Sequence, residues 1–306
     1  MPSLKEVRNR ISSVKSTQQI TKAMKMVAAA KLRRAQNKIV QMRPYAQKLT
    51  QILQNVTSSL VGDDFNNAYS QARTPEKILL VVITSDKGLC GAFNTNVTRA
   101  VNLLLNDTYR SQHAKGNVTL LCVGKKGYEY FKRRNVPLIS DYSTILTAKD
   151  LGFGDVLPAA EFAMKGFLDK KYDKVVLVYN EFKNAATQIL QTETLLPIQI
   201  VKEDAPAASQ TSKSKDKQLQ SDYVFEPNKE EILESLIPQT LKIQFYKSVL
   251  ESNASEQGSR MTAMDKATEN AGELLKELKL SYNRARQANI TKEILEIVGG
   301  AEALGK

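Results

Sequence analysis

The chain has 306 residues and is 42% hydrophobic, which is enough for one ordinary core together with an extended element. It contains no run of about 18 apolar residues, so the sequence predicts no membrane-spanning helix. Its first residues contain no apolar signal core, and we expect no secretory peptide. Cys90 and Cys122 lie beside apolar segments, which favours buried free thiols in a reducing compartment over a disulfide.

The net charge of +12 is concentrated in one part of the chain. Residues 1–60 hold 12 lysines and arginines and a single acidic residue, Glu6. Such a segment could be a solvated helix face, an arm that neutralises nucleic-acid phosphates, or a rod attracted to an acidic protein partner. Tyr45 is the only aromatic residue before residue 61, and no nucleic-acid-binding motif is recognisable. A basic helical nucleic-acid-binding protein therefore remains the alternative hypothesis.

An apolar ladder with spacings of three and four residues runs from Leu4 to Leu60 without a change of phase. Its only polar members, Gln18, Thr21 and Lys25, are neighbours on the ladder. This spacing predicts the seam of a coiled coil, and the helix would reach about 85 Å at about 1.5 Å per residue. Such a rod needs a partner strip of similar length. The ladder positions are Leu4, Val7, Ile11, Val14, Gln18, Thr21, Lys25, Ala28, Leu32, Ala35, Ile39, Met42, Ala46, Leu49, Leu53, Val56 and Leu60.

The polar interruption of this ladder predicts a contact. Ile20, Met24 and Val27 turn onto another face of the predicted helix at this point. Because a seam between two helices needs no second apolar face, we interpret the stretch as a place where the helix meets another molecule. Further along, Pro44 removes one backbone donor and predicts a bend near Arg43.

After Pro75 the ladder gives way to short apolar segments that alternate with helix-like segments. Ile78–Ile83 is an unbroken apolar run, typical of a strand that is buried on both faces. The alternation predicts a small α/β domain with a largely parallel, Rossmann-like sheet and an added edge strand. The expected strands are 78–83, 118–124, 136–140, 175–179 and 187–196, and the expected helices are 94–106, 128–134 and 156–171.

A second long helix is predicted from about residue 228 almost to the end of the chain. Its expected seam residues are mostly small, which lets a partner helix approach closely: Met264, Ala267, Ala271, Leu274, Leu278, Ser281, Ala285 and Ala288. Two terminal helices with a compact domain between them predict an α+β or α/β fold built on a long antiparallel coiled coil. The predicted segments are an N-terminal coiled-coil helix (1–62), the central α/β domain (75–200), a mobile low-complexity loop (204–221) and a C-terminal coiled-coil helix (227–304).

The residues provide no convincing catalytic, metal or cofactor site. His113 lies in a polar stretch and is expected to be an ordinary surface residue, and with two distant cysteines it makes a poor metal-binding set. The segment Ser85–Asn94 carries glycines between a buried strand and a helix, where α/β sheets often bind ligands. A tight turn explains the same residues and no second nucleotide motif accompanies them. We favour the turn, and an enzyme built on this loop is the third hypothesis.

Three regions of the chain carry distinctive motifs: residues 18–36, the loop Ser85–Asn94, and a C-terminal region that contains the two runs 255–268 and 282–301. The loop is similar to Ser/Thr-Asp-Arg/Lys-Gly-Leu-Cys-Gly-Gly-x-Asn, with Ala92 in place of the second glycine of the pair. These motifs resemble those of the gamma subunit of F-type ATP synthases. The resemblance covers both ends and the middle of the chain, and the motifs follow one another in the same order. The family-signature residues of the loop are Asp86, Gly88, Cys90, Gly91 and Asn94.

The resemblance implies a rotor shaft without a catalytic site or cofactor of its own. In this family the paired helices turn inside a ring of three alpha and three beta subunits, and the chemistry belongs to the beta subunits. The α/β domain sits against the epsilon subunit and the membrane ring of c subunits. The resemblance therefore implies one copy per complex, no nucleic-acid partner, coupling of ion-driven rotation to ATP synthesis or hydrolysis, and regulation of ATPase activity and proton flow.

The resemblance also implies roles for individual residues. Those expected to contact the alpha and beta subunits or to serve coupling are Met24, Lys31, Arg33, Arg34, Arg260, Gln287, Thr291 and Glu293. Those expected on the side of the c ring and epsilon subunit are Tyr223 and Phe225.

One difference from some members of the family bears on where in the cell the protein is expected. Plastid members carry a cysteine-bearing redox insertion, whereas the corresponding region around 197–222 is short and has no cysteine. Thiol control is therefore not expected, and no transit peptide is visible. We expect a peripheral protein on the cytoplasmic face of a bacterial inner membrane.

Overall fold

The computed structural model describes residues 3–58, 68–71, 73–134, 136–147, 151–198 and 229–304. The helices are α1 (Leu4–Ser58), α2 (Phe93–Leu103), α3 (Arg110–Ala114), α4 (Lys125–Phe131), α5 (Phe153–Leu168) and α6 (Lys229–Leu304). The strands are β1 (Ile78–Ile83), β2 (Val118–Val123), β3 (Leu138–Ile139), β4 (Lys174–Phe182) and β5 (Gln188–Leu196). Within these ranges, no helix combines the length and the apolar character that crossing a bilayer requires.

Helices α1 and α6 pack antiparallel and form a rod. Lys25 pairs with Asp265, whereas Arg43, further along α1, pairs with Glu251, which comes earlier on α6. Every ladder position with a described side chain, from residue 4 to residue 49, is buried or half-buried. The predicted antiparallel coiled coil is therefore confirmed. Pro44 lies inside α1, and the bend predicted beside it stays a prediction.

The polar positions of the α1 ladder face α6. The Thr268 hydroxyl donates to Thr21 Oγ1 at 2.8 Å, and Lys25 Nζ lies 2.5 Å from Asp265 Oδ1. We call these two cross-helix pairs the polar rungs. These polar positions therefore belong to the seam, because aliphatic residues opposite them would leave their polar groups unpaired. The contact with another molecule that was predicted for this stretch stays a prediction.

The apolar residues beside the polar rungs behave differently. Ile20 and Val27 are 60% and 56% exposed, and Met26 is exposed to a similar degree. Met24 is half-buried. An outward apolar face therefore lies beside the polar rungs, and the contact predicted there stays a prediction.

The seam of α6 departs from the predicted one beyond Ala271. Leu275 and Tyr282 are half-buried, whereas Leu274 and Ser281 are exposed. Ala288, the last predicted seam residue, is exposed as well. Leu274 and Leu275 are adjacent and equally apolar, so the sequence alone cannot choose between them. The choice is made by the face of α1 against which α6 lies.

The last part of α6 extends beyond α1. Lys25 lies opposite Asp265, and α1 begins 21 residues before Lys25, so α6 reaches the start of α1 near Arg286. At about 1.5 Å per residue, residues 287–304 continue for about 27 Å as a single helix. We call this segment the tip, and every side chain described in it is exposed.

The central domain is a five-stranded sheet with the strand order β3-β2-β1-β4-β5. Strands β3, β2, β1 and β4 are parallel, and β5 pairs antiparallel with β4 at one edge. The predicted largely parallel sheet with an added edge strand is therefore confirmed. Because parallel strands are connected by helices that cover both faces, this sheet is buried on both sides.

Alternate side chains of the strands enter two cores. Leu79 and Val81 of β1 face the core that also holds Phe167 of α5 and Phe245 of α6. The side chains between them face a second core under α2 and α4, which includes Phe131. The first core also contains residues of α1, so one face of the sheet is packed directly against the rod.

Several element boundaries differ from those expected. Strand β3 covers two residues instead of five, because Pro137 cannot donate a backbone hydrogen bond at this edge of the sheet. Helix α2 ends at Leu103 in a π-helical turn, where the Tyr109 amide donates to the Leu104 carbonyl at 2.8 Å. Helices α4 and α5 each begin three residues before the predicted position. The division into four segments stays a prediction, and the loop predicted over 204–221 lies outside the described residues.

Candidate functional site

The α6 segment 248–260 is enclosed almost all round by α1, the sheet and two loops. Within it every side chain except Asn253 is buried. We call this segment the collar. Its buried polar members are Ser248, Glu251, Ser252, Ser255, Glu256, Gln257, Ser259 and Arg260. A buried polar group is costly unless it is hydrogen-bonded, so this composition predicts specific polar contacts with the surrounding loops.

The signature loop, residues 85–94, is held in shape by its own side chains. The Ser85 amide donates to Asn94 Oδ1 at 3.0 Å, and Asn94 Nδ2 donates to Ser85 Oγ at 2.7 Å. Asn94 Nδ2 also lies 3.3 Å from Cys90 Sγ. Leu89 and Gly91 have φ values of 62° and 59°, in the left-handed region that turns the chain sharply. These bonds aim the carbonyl groups of Lys87 and Gly88 at α6.

Arg260 joins the signature loop to the collar. Its Nη2 donates to the carbonyl oxygens of Lys87 at 2.8 Å and Gly88 at 3.3 Å. Its Nη1 donates to Glu256 Oε1 at 2.6 Å and to Gln257 Oε1 at 3.3 Å. We call Arg260, Glu256 and the two carbonyl groups the clasp. Arg260 is 9% exposed, and removing one partner of a buried pair costs on the order of 3–5 kcal/mol.

The start of the loop is anchored to the residues that follow β2 and to the turn that contains Thr147. Asp86 accepts from the Lys125 amide at 3.1 Å and from the Thr147 hydroxyl at 2.9 Å. Gly124 has a φ of 110°, and a Cβ added there would lie 2.2 Å from the Thr84 carbonyl oxygen. Only glycine allows this approach. The backbone segments that follow β1 and β2 are therefore in direct contact beneath the loop.

A second joint lies nearer the start of the collar. Glu251, which is 1% exposed, accepts from the Phe182 amide at the end of β4 at 3.1 Å. Arg43 of α1 lies 3.6 Å from the same carboxylate. One carboxylate thus connects α6, the sheet and α1.

Burial determines the ionisation of the groups around the collar. Burial raises the pKa of Glu256, and the neighbouring Arg260 only partly offsets this effect. Burial also raises the pKa of the Cys90 thiol, and it raises that of Cys122 to about 12. Both cysteines are free and buried, so their thiols are protonated near neutral pH, the inert form.

The residues predicted to serve coupling lie in two environments. Arg260 is buried, and it donates to Glu256 of its own helix and to the Lys87 carbonyl group of the signature loop. The remaining members lie on the rod, with Met24 half-buried and the others exposed: Met24, Lys31, Arg33, Arg34, Gln287, Thr291 and Glu293. Tyr223 and Phe225 lie outside the described residues. Contacts with other subunits stay predictions for all of them.

Sequence reasoning did not single out Glu251 or Glu256. A signal for the second was present, because Glu256 and Arg260 have the i, i+4 spacing of a helical ion pair. No sequence signal connects Arg260 to Lys87, which lies 173 positions earlier. Within the described ranges, no three His, Cys, Asp or Glu residues are grouped so that they could hold a metal ion.

These features define a class of protein, a long two-helix rod fastened at its collar to a largely parallel sheet. A family model described as ATP synthase matches residues 3–304. The chain is 56% identical to the ATP synthase gamma chain of Cytophaga hutchinsonii and 52% identical to that of Christiangramia forsetii, with 99% of both chains covered in each comparison. The chain belongs to the family of ATP synthase gamma chains.

Solved structures agree with this placement. A chain of the Tetrahymena thermophila mitochondrial ATP synthase central stalk and c ring is 28% identical, with a TM-score of 0.53, covering 81% of this chain and 99% of that one. A chain of the Euglena gracilis mitochondrial ATP synthase rotor is 22% identical, with a TM-score of 0.61 and coverages of 94% and 98%, and it supports the fold alone.

The resemblance predicted from the three motifs is thus confirmed. The chain is a subunit of the ATP synthase complex, which is membrane-associated, and its role in the central stalk is confirmed at the level of the family. The alternative of a basic nucleic-acid-binding protein finds no support in these relatives.

Proposed function

We propose that the rod is the turning shaft of ATP synthase and that ion-driven rotation of the c ring reaches the catalytic beta subunits through it. The observation that carries this proposal is the change from two helices to one near Arg286. A single helix that continues from one side of a pair is off-centre. It therefore presents a different surface to each of three equivalent neighbours, and differential contact is what shifts a conformational equilibrium.

The side chains of the tip suit a surrounding partner. Ile294, Leu295, Ile297 and Val298 are each at least half exposed, with values of 54%, 66%, 71% and 50%. An isolated protein gains nothing from apolar side chains in water, and contiguous exposed apolar surface marks interaction sites. In this proposal the tip turns within an apolar sleeve formed by three alpha and three beta subunits.

The basic face of α1 suits an acidic partner. Lys31, Arg33 and Arg34 are exposed on the two-helix part of the rod. Complementary charge raises the rate of association and disfavours wrong partners. We place acidic loops of the beta subunits beside these residues, close to Met24 and to the exposed apolar face around Ile20.

In this proposal the shaft performs no chemistry and holds no cofactor. The central domain faces the epsilon subunit and the c ring, with Tyr223 and Phe225 on that side, and each complex contains one copy. By resisting or permitting rotation the shaft also regulates ATPase activity and proton flow. The complex lies on the cytoplasmic face of a bacterial inner membrane.

Reconstitution tests this proposal. The chain is mixed with alpha and beta subunits, and the products are separated under native conditions. We expect one copy of the chain to migrate with three copies of each partner, and the complex to hydrolyse ATP. Migration of the chain on its own at all protein ratios would contradict the proposal.

A charge-reversal variant sharpens this test. Lys31→Glu/Arg33→Glu/Arg34→Glu is compared with Lys276→Glu/Lys279→Glu, a control on exposed positions of α6. The first variant should associate more slowly with the alpha and beta subunits at low salt, and the control should not. Equal association rates would remove the assigned role of the basic face.

A further inference from the structure

At the clasp, the signature loop of the central domain is hydrogen-bonded to α6 of the rod. The Arg260 guanidinium bridges two elements, because one nitrogen binds Glu256 on its own helix and the other binds the Lys87 and Gly88 carbonyl groups. Charge-assisted bonds of this kind are shorter and stronger than neutral ones. A planar guanidinium held at both sides cannot turn without breaking several of them.

The same turn of α6 is also approached from a second direction. Gly258 packs against the hairpin between β4 and β5, and a Cβ added there would lie 3.2 Å from the Ala185 carbonyl oxygen. Ser259 Oγ lies 3.5 Å from Gln188 Oε1 in β5. The signature loop and the hairpin therefore hold one turn of α6 between them.

We propose that Arg260 is a positioning residue that passes torque between the central domain and the rod by fixing the signature loop to α6. This inference rests on the proposed shaft function. The family resemblance implied a part in coupling or in a subunit contact for Arg260, and this inference assigns its part in coupling to contacts inside the chain. Its burial and its four internal bonds support the internal task.

The first measurement uses Arg260→Ala in the complete complex in membrane vesicles. Lys266→Ala is the matched control, because Lys266 is an exposed cation on the same helix six residues further on. For each complex, ATP hydrolysis and proton pumping are measured and divided by the amount of chain incorporated. We expect Arg260→Ala to keep hydrolysis and lose most of the pumping per ATP hydrolysed, and the control to match wild type.

A disulfide then separates the internal task from a contact with another subunit. A Cβ added at Gly91 would lie 3.8 Å from the Cβ of Ala263, within the usual range of about 3.5–4.5 Å for a disulfide. Gly91→Cys/Ala263→Cys ties the same loop to the same helix without an arginine. Added to Arg260→Ala, it should restore pumping per ATP hydrolysed when oxidised and lose it again when reduced. Gly91→Cys and Ala263→Cys, each combined with Arg260→Ala, are the controls.

Each other outcome contradicts the inference. Full coupling in Arg260→Ala shows that the clasp is not needed. Hydrolysis and pumping that fall equally per incorporated chain show a loss of stability only. Coupling that stays lost with the disulfide formed assigns Arg260 to another subunit. Failure of the disulfide to form in a chain that keeps Arg260 and folds like wild type places the loop away from α6. All four are read against a wild-type complex that assembles and couples, so they are distinct from a failure of the proposed shaft function.

Discussion

The collar and the tip are two parts of one continuous helix, and their surroundings differ completely. The collar is buried on nearly every side, and most of its buried residues are small or polar, with Val249 and Leu250 as the larger apolar members. The tip is exposed on every described side, and several of its residues are large and apolar. A helix that only had to be stable would bury the large apolar residues. The difference indicates that the contacts of the collar are completed within this chain, and it supports the proposal that those of the tip are completed by the alpha and beta subunits.

The largest expected effect comes from emptying the core beside the collar. Phe245 is fully buried against the sheet, so Phe245→Ala should lower the free energy of unfolding by about 3–5 kcal/mol. Ile297→Ala on the tip should leave it within about 0.5 kcal/mol of wild type, because its side chain is already exposed. Urea denaturation of the isolated chains measures both. A comparable loss of unfolding free energy in the two variants would contradict the difference described between the collar and the tip.

Two glycines, one in the collar and one on the tip, provide a matched pair of substitutions whose expected effects on stability are of intermediate size. Gly258→Ala in the collar should lower stability by about 1 kcal/mol, because the neighbouring hairpin atoms are backbone and cannot move aside easily. Gly299→Ala has open space on the tip and should raise helicity, since glycine is less favourable than alanine in a helix by about 0.5–1 kcal/mol. Denaturation should show a loss of stability for Gly258→Ala, and circular dichroism should show a gain in helicity for Gly299→Ala.

The pH dependence of stability gives a smaller effect with a defined sign. Because burial raises the pKa of Glu256, the folded state holds its proton more tightly than the unfolded state. The associated stability is present below the usual carboxyl pKa and is lost as the pH rises through the raised pKa. Relative to wild type, Glu256→Gln should therefore gain stability as the pH is raised from about 4.5 to 7.

Glu129→Gln is the control for this pH experiment, because the shift there has the opposite sign. Hydrogen bonding to Lys126 lowers the pKa of the exposed Glu129, so its stabilisation appears as the pH rises. Unfolding of both variants and of wild type is followed by denaturant titration across the same pH range. Differences of the same sign in the two variants would show that the carboxyl environments are not as described.

The smallest expected effect on stability concerns the apolar residues of the tip. Ile294→Ser/Ile297→Ser/Val298→Ser should change the free energy of unfolding of the isolated chain by no more than about 0.5 kcal/mol per site. It should nevertheless weaken assembly with the alpha and beta subunits, because the apolar contact area is lost. Native gel titration and denaturation of the same samples separate the two effects. Unchanged assembly would show that the tip does not need its apolar residues.

The rod could be predicted from the sequence more fully than the site. Every ladder position of α1 with a described side chain is where the spacing placed it, because burial along a two-helix seam depends mainly on periodicity. The seam of α6 was predicted wrongly at Leu274 and Ser281, where a neighbouring residue is buried instead. It was also wrong at Ala288, which lies beyond the start of α1 and is exposed. Strand β3 was predicted too long, because the effect of an edge position on Pro137 depends on a sheet order that the sequence does not state.

The clasp could not be predicted, for a different reason. Its contacts join residues that are far apart in sequence, and two of its acceptors are backbone carbonyl groups, which carry no residue identity. The glycines of the signature loop did predict a tight turn between β1 and α2. They gave no information about the helix that the turn would meet.

The polar rungs have a consequence for the reach of the shaft. A purely aliphatic seam would let the two helices slide by one heptad, about 10 Å at 1.5 Å per residue, with little change in packing. Such a slip would move Lys25 away from Asp265 and Thr21 away from Thr268, and would leave polar groups against aliphatic ones. Two short polar contacts thus set the register of the two helices, and the register determines how far the single helix projects past its partner.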